Sequence, residues 1–230
     1  MSTRPRFRRI LLGLLAALGA LEVAYVAHVS GFALGAFTAV LSGQFAEGRI
    51  EALVRRAAAY MVKGQPYAAQ GDYLQYLAHR PDDADAYAGL ARAMALSGNR
   101  DGARENYRRA CELLVDSKRR GEAEAIYQEA VRGNDDFALG PEYQLGMAFG
   151  LERDLKPKLA VHAYEMFVAK YPDHPESPLA LLRAAGIHLS VFSDPGGADA
   201  LYGRFLFSFP GDTWADFAKE QRRKLACQLG

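Results

Sequence analysis

Small and large apolar side chains recur along this chain with helical spacing. Ala57 and Tyr60 fall on one face of a helix, and Ala69, Tyr73 and Tyr76 share one face of a second at i, i+4 and i+7. Gly64 between them stops the first helix, and Pro81 ends the second. Moving each position 34 residues along gives Ala91, Met94, Gly98, Ala103, Tyr107 and Ala110, with Val115 where the proline stood. Small side chains at Ala69 and Ala103 let two helices cross closely, while the aromatics fill the wider gaps. No window alternates with period two, so the pattern predicts an all-α chain of helix pairs.

The pattern returns nearer the C-terminus. Gly146 and Phe149 suit a first helix, followed by Ala160, Tyr164, Phe167 and Pro172 on a second, with two extra residues in the turn around 154–158. Gly186 and Leu189, then Ala198, Tyr202, Phe205 and Pro210, make a further pair, with Asp194-Pro195-Gly196-Gly197 as its turn. Residues 121–132 read as a lone amphipathic helix (Ala123, Ile126, Tyr127, Ala130) that lacks a good first helix, and 133–136 as a loop. Residues 213–228 read as a closing helix, with Trp214, Phe217 and Leu225 on one side. The expected division is therefore 1–47 as an N-terminal part, 48–117 as two regular units, 118–138 as a linking helix and loop, 139–211 as two further units, and 212–230 as a cap.

A period of 34 with small residues at two set places, large ones at two more and a terminal proline resembles the tetratricopeptide repeat. That resemblance implies a right-handed superhelical stack of helix hairpins, with first helices lining a concave groove that holds a protein or peptide. The family's best-known ligand mode clamps a C-terminal carboxylate with Lys, Asn and Arg on the first helices. Here those places hold Val54, Ala58, Ala88, Arg92, Tyr143, Met147, Arg183 and Ile187. The Asn ligands are absent and Arg92 and Arg183 are the only cations. The resemblance therefore implies a largely apolar groove, with Val54, Arg92, Tyr143, Met147, Arg183 and Ile187 as its binding candidates.

The N-terminal part differs. Residues 4–9, Arg-Pro-Arg-Phe-Arg-Arg, are strongly basic, and from 10 to 42 the only Asp, Glu, Lys, Arg or His residues are Glu22 and His28. About 20 apolar residues span a bilayer core, and one helix of this stretch would be about 50 Å long. It reads either as one tilted helix or as a helical hairpin turning near 21–27. A cleaved signal peptide fits less well, because the apolar run continues to Leu41 without a clean cleavage site. His28, Gly31 and Gly35 form H-x-x-G-x-x-x-G, which places two glycines on the face of an intramembrane histidine and allows close helix packing. This resembles the last transmembrane helix of the rhomboid intramembrane serine proteases, in which the histidine is the general base. The family's G-x-S-G nucleophile motif does not occur, so no catalytic residue is assigned beyond His28 under that resemblance. Two functions remain in view: a membrane-anchored, non-enzymatic interaction scaffold, and the C-terminal part of a rhomboid-type protease whose repeats recruit partners. The positive-inside rule keeps 4–9 in the cytoplasm. A hairpin, favoured by Arg49, Arg55 and Arg56, returns the repeats there, on a bacterial inner membrane.

Composition closes off other classes. Lys and Arg number 28 against 27 Asp and Glu among 230 residues, which gives nucleic acid no general attraction. Two cysteines make no disulfide scaffold, with Cys111 expected in the core, Cys227 in the cap and both as free thiols. His79, His162, His174 and His188 have no metal spacing, and Gly196-Gly197 follows no strand. No metal or cofactor is expected.

Overall fold

A computed structural model of the chain describes residues 47–229. The predicted membrane segment 10–42, with His28, Gly31 and Gly35, lies outside the described residues. Among the described residues no helix is long and apolar enough to cross a membrane.

The described residues contain helices and turns and no strand. Residues 47–62 are helical (α1). They are followed by α2 (Pro66–Leu77), α3 (Ala84–Leu96), α4 (Arg100–Asp116), α5 (Arg120–Gly133), α6 (Pro141–Arg153), α7 (Pro157–Lys170), α8 (Ser177–Ser190), α9 (Pro195–Ser208) and α10 (Ala215–Leu229). From α2 onward each helix packs on its neighbour in sequence, except that α5 and α6 make no comparable contact. The result is an all-α stack of helical hairpins.

Four of the hairpin turns use one device. Each is three residues long, and its middle residue has a left-handed backbone: Gly64 (φ 68°), Gly98 (φ 86°), Lys118 (φ 63°) and Leu155 (φ 56°). The residue after it donates its N–H back to the closing helix: Gln65 to Tyr60 O, Asn99 to Met94 O, Arg119 to Leu114 O and Lys156 to Leu151 O, at 2.8–2.9 Å. This is a glycine-type helix stop, satisfying carbonyls that the helix end leaves open. Two of the four are made without glycine. The next helix starts on Pro66 or Pro157 in two cases, where the missing N–H is no loss. In the α3–α4 turn Asn99 accepts the N–H of Gly102 instead.

The turns correct the sequence register in three places. The α6–α7 turn holds Asp154, Leu155 and Lys156, no longer than Ser97–Asn99, so it carries no extra residues. The small residue at the α6–α7 crossing is consequently Ala148, fully buried, and Gly146 is exposed. In α8 the fully buried small residues are Ala184 and Ala185, ahead of Gly186. Asp194-Pro195-Gly196-Gly197 opens α9: Asp194 caps it by accepting the Gly197 N–H at 2.9 Å, and Pro195 is its first helical residue.

Helix α5 is not without a partner. The α4–α5 turn is the same stop as the others, so α4 closes one hairpin with α3 and opens another with α5. Because α3, α4 and α5 alternate in direction, hairpins after α4 turn on the edge opposite to those before it. Lys156, just past the end of α6, reaches Glu124 near the start of α5 at 2.5 Å, which sets α6 antiparallel to α5.

One continuous apolar core runs from Ala84 to Leu225. Alanines at the crossings (Ala91, Ala110, Ala123, Ala148, Ala160, Ala198) are fully covered, and Tyr127, Phe137, Tyr164, Phe167 and Phe205 fill the layers between them. Cys111 is buried and Cys227 exposed, both as thiols; burial pushes the Cys111 thiol far up, which makes it unreactive. Where α5 meets α6 the core is tied by a buried side chain that sequence reasoning did not single out. Gln144 accepts the N–H of Leu139 and donates to Tyr127 Oη and to the carbonyl of Ala163, each at 2.9 Å. Both its amide N–H groups and one lone pair of its carbonyl are used, so it fixes α5, α6, α7 and the 134–140 loop to each other.

Candidate functional site

Each of α6 and α8 leaves one face open toward the hairpin before it. The first groove, about 560 Å³, lies between α6 (Glu142, Tyr143, Gly146, Met147, Gly150, Arg153) and the α4–α5 hairpin (Val115, Asp116, Arg120, Ala123, Glu124). The second, about 610 Å³, lies between α8 (Arg183, Gly186, Ile187, Ser190, Val191) and the α6–α7 hairpin (Glu152, Leu155, Pro157). They are the same arrangement repeated. On the helix side the lining residues correspond at a 40-residue offset: Tyr143 with Arg183, Gly146 with Gly186, Met147 with Ile187, Gly150 with Ser190. On the hairpin side Val115 corresponds to Glu152 and Arg120 to Pro157, each flanking a left-handed turn residue.

Glycine keeps both floors open. A Cβ added at Gly146 or Gly186 would meet nothing within 4 Å. A glycine inside a helix costs about 1 kcal/mol relative to alanine, and here no neighbouring atom demands it. Met147 and Ile187, 6% and 4% exposed, form the apolar base beside them. At the mouth of the second groove Leu155 is 86% and Val191 56% exposed, an apolar lip that water covers poorly.

Charges around the grooves are mostly held by partners. Arg183 pairs with Glu152 at 3.1 Å and lies 5.0 Å from the Phe149 ring centre. Tyr164 donates to the same Glu152 at 2.6 Å; burial first, then that carboxylate, pushes its phenol well above its usual value. Tyr143 donates to Asp116 at 2.9 Å, which raises its phenol too. Arg153 is bound to Asp154 at 2.8 Å and Lys156 to Glu124.

Of the six residues named from the sequence, Tyr143 and Met147 line the first groove, and Arg183 and Ile187 the second. Val54 and Arg92 line neither. Val54 is half-buried on α1. Arg92 makes a bidentate pair with Glu129 at 2.7 and 2.8 Å, and Glu129 also accepts from Tyr107 at 2.8 Å. Burial works against the Glu129 charge, but the bonds from Arg92 and Tyr107 outweigh it and hold the carboxyl below its usual value. Sequence reasoning missed Leu155, Val191, Gly150 and Ser190. The 40-residue correspondence between α6 and α8 was the signal that points to the last two. Among the described residues no cluster of three or more His, Cys, Asp or Glu side chains is placed to hold a metal ion.

No family model matches the chain, and no curated protein matches it. Solved structures do. YrrB, described as a TPR protein with an unusual peptide-binding site, is 16% identical over 73% of this chain and 90% of its own, with a TM-score of 0.32. TTC0263, a TPR protein of Thermus thermophilus, is 18% identical over 78% of this chain and 98% of its own, with a TM-score of 0.29. PilW, a type IV pilus biogenesis factor, is 16% identical over 78% of this chain and 91% of its own, with a TM-score of 0.31.

Proposed function

We infer that this protein is a non-enzymatic interaction scaffold of the tetratricopeptide type, which holds a protein segment in the grooves on α6 and α8. The observation that carries this reading is the duplicated groove: two cavities of about 560 and 610 Å³, built from equivalent positions and floored by glycines that no packing contact requires. The 34-residue sequence period supports the same reading, and with it a superhelical stack whose open face is the working surface. A displayed random peptide library screened against the full chain tests it. Binders are expected to lose their signal when Gly146 and Gly186 are both replaced by leucine, with the far-ultraviolet circular dichroism spectrum retained. An absence of binders, or binders indifferent to the two replacements, rejects the reading.

The anchoring part of the proposal rests on the sequence of residues 4–42. A basic start followed by a long apolar stretch supports a segment held in a bacterial inner membrane, and a hairpin there puts the repeats in the cytoplasm. A reporter active only outside the cytoplasm, fused after Gly230, is expected to stay silent. Activity rejects the cytoplasmic placement.

A further inference from the structure

We propose that the two grooves act as paired sockets for one extended, uncharged internal segment of a partner protein, each socket taking one of two apolar side chains spaced three or four residues apart. The proposal rests on the scaffold reading above and specifies its ligand. Pairing follows from the architecture, since equivalent residues of α6 and α8 line cavities of nearly equal size. Taking the repeat of the sockets as one helix diameter, about 10 Å, an extended chain advancing about 3.3 Å per residue needs three to four residues from one socket to the next.

The chemistry of the side chains follows from the walls. Apart from the Arg183–Glu152 pair and Ser190, the second socket is Leu155, Pro157, Gly186, Ile187 and Val191. The glycine lets a ligand backbone approach α8 closely, while the aliphatic residues enclose a side chain.

Charge decides that the segment is internal. In the first socket Asp116, Glu124 and Glu142 outnumber Arg120 and Arg153, and in the second one acid meets one base. Arg183 is committed to Glu152, with Tyr164 bonded to the same carboxylate. A terminal carboxylate would meet three carboxylates around Arg120 in the first socket and an already paired Arg183 in the second, so a free C-terminus gains nothing there.

The test uses the full chain and ten-residue Ser/Thr peptides with acetylated and amidated ends, carrying one leucine or two at i, i+3 or i, i+4, followed by fluorescence anisotropy. Two leucines are expected to bind at least tenfold more tightly than one. Gly186→Leu is expected to bring the two-leucine peptide down to the one-leucine level, with thermal stability at or above that of the parent. A free carboxylate is expected to leave affinity unchanged or lower. Equal binding of one- and two-leucine peptides, insensitivity to Gly186→Leu, or tighter binding by the free acid overturns the proposal. If these peptides fail while library peptides bind and are lost on filling the grooves, the paired-socket proposal falls and the scaffold reading stands. If no peptide responds to filling the grooves, both fall.

Discussion

Replacing Gly146 or Gly186 by alanine should make the protein more stable. Both residues lie inside helices, at the sixth position of α6 and the tenth of α8, where glycine forfeits backbone entropy without return. The gain from Gly→Ala at such a site is about 0.8–1.0 kcal/mol, and no steric term offsets it because the new Cβ meets nothing within 4 Å. The two sites share no lining residue, so the double variant should gain about 2 kcal/mol. Urea denaturation of the full chain, followed by circular dichroism, should show the midpoint rising by roughly 0.5 M per substitution for a chain of this size. Gly89 provides the contrast: a Cβ there would be driven into the Tyr73 ring, so Gly89→Ala should destabilise. If either groove variant is no more stable than the parent, or Gly89→Ala is equally benign, the claim that the groove floors are open is wrong.

Other substitutions probe the rest of the structure. Gln144→Met leaves the Leu139 N–H and Tyr127 Oη without their buried partner, and at about 1–3 kcal/mol per lost buried bond the net cost should be about 2–3 kcal/mol by urea denaturation; a change below about 0.5 kcal/mol removes Gln144 as the tie between α5, α6 and α7. Lys118→Gly relieves a left-handed residue in the α4–α5 turn and should stabilise by roughly 0.5–1 kcal/mol, whereas the same change at Lys63, outside such a position, should not. His162 has a buried Nε2 with no partner, and burial holds its imidazole below the ordinary 6.5 despite Glu165 and Asp135 nearby. Below pH 6.5 the unfolded chain therefore binds a proton that the folded chain refuses, so stability should fall as pH drops from 6.5 through the folded value. His162→Leu should flatten that slope in melting temperatures taken from about pH 7 to about pH 5; an unchanged slope assigns it elsewhere.

The first half of the array is legible in the sequence because its turns are made by the expected residues. Gly64 and Gly98 mark left-handed stops, and the register of Ala57, Ala69, Ala91 and Ala103 follows from them. In the second half the equivalent stop is Leu155, which no turn rule selects, so nothing anchors the register; reading Gly146 as the small crossing residue sets it two positions ahead of Ala148 and lengthens the turn to fit. Asp194-Pro195-Gly196-Gly197 misled in the same way, because those residues suit both a turn and a capped helix start. The shared role of α4 was hidden, since Lys118 gives no stop signal either. That is also why the six candidate groove residues divide four to two: a wall of first helices continuing through the whole array needs an odd number of helices between its members, and α5 makes the number between α3 and α6 even. Gln144 left no trace at all, because a glutamine in an amphipathic helix is ordinarily taken to face water.

Some departures from local rules in this array lie at the grooves, others elsewhere, such as the uncontacted Gly71 in α2, the left-handed Lys118 and the exposed Val62 and Phe207. Most alanine, proline and capping positions agree with the helices around them, as expected of a sequence whose local and tertiary preferences coincide. Gly146 and Gly186 break that agreement by weakening helices without relieving any contact. Leu155 breaks it twice, with a branched side chain in a left-handed backbone and 86% of its surface in water. Val191 closes α8 with an exposed aliphatic side chain. Each departure alone costs about 1 kcal/mol and has a ready alternative, such as alanine in the helices or glycine at the turn. The four at the grooves line the same two cavities, and three of them border the second. What sets the second groove apart is that an uncontacted helical glycine, a left-handed leucine and an exposed valine meet in one cavity, and receiving an apolar side chain needs that open floor and aliphatic lip.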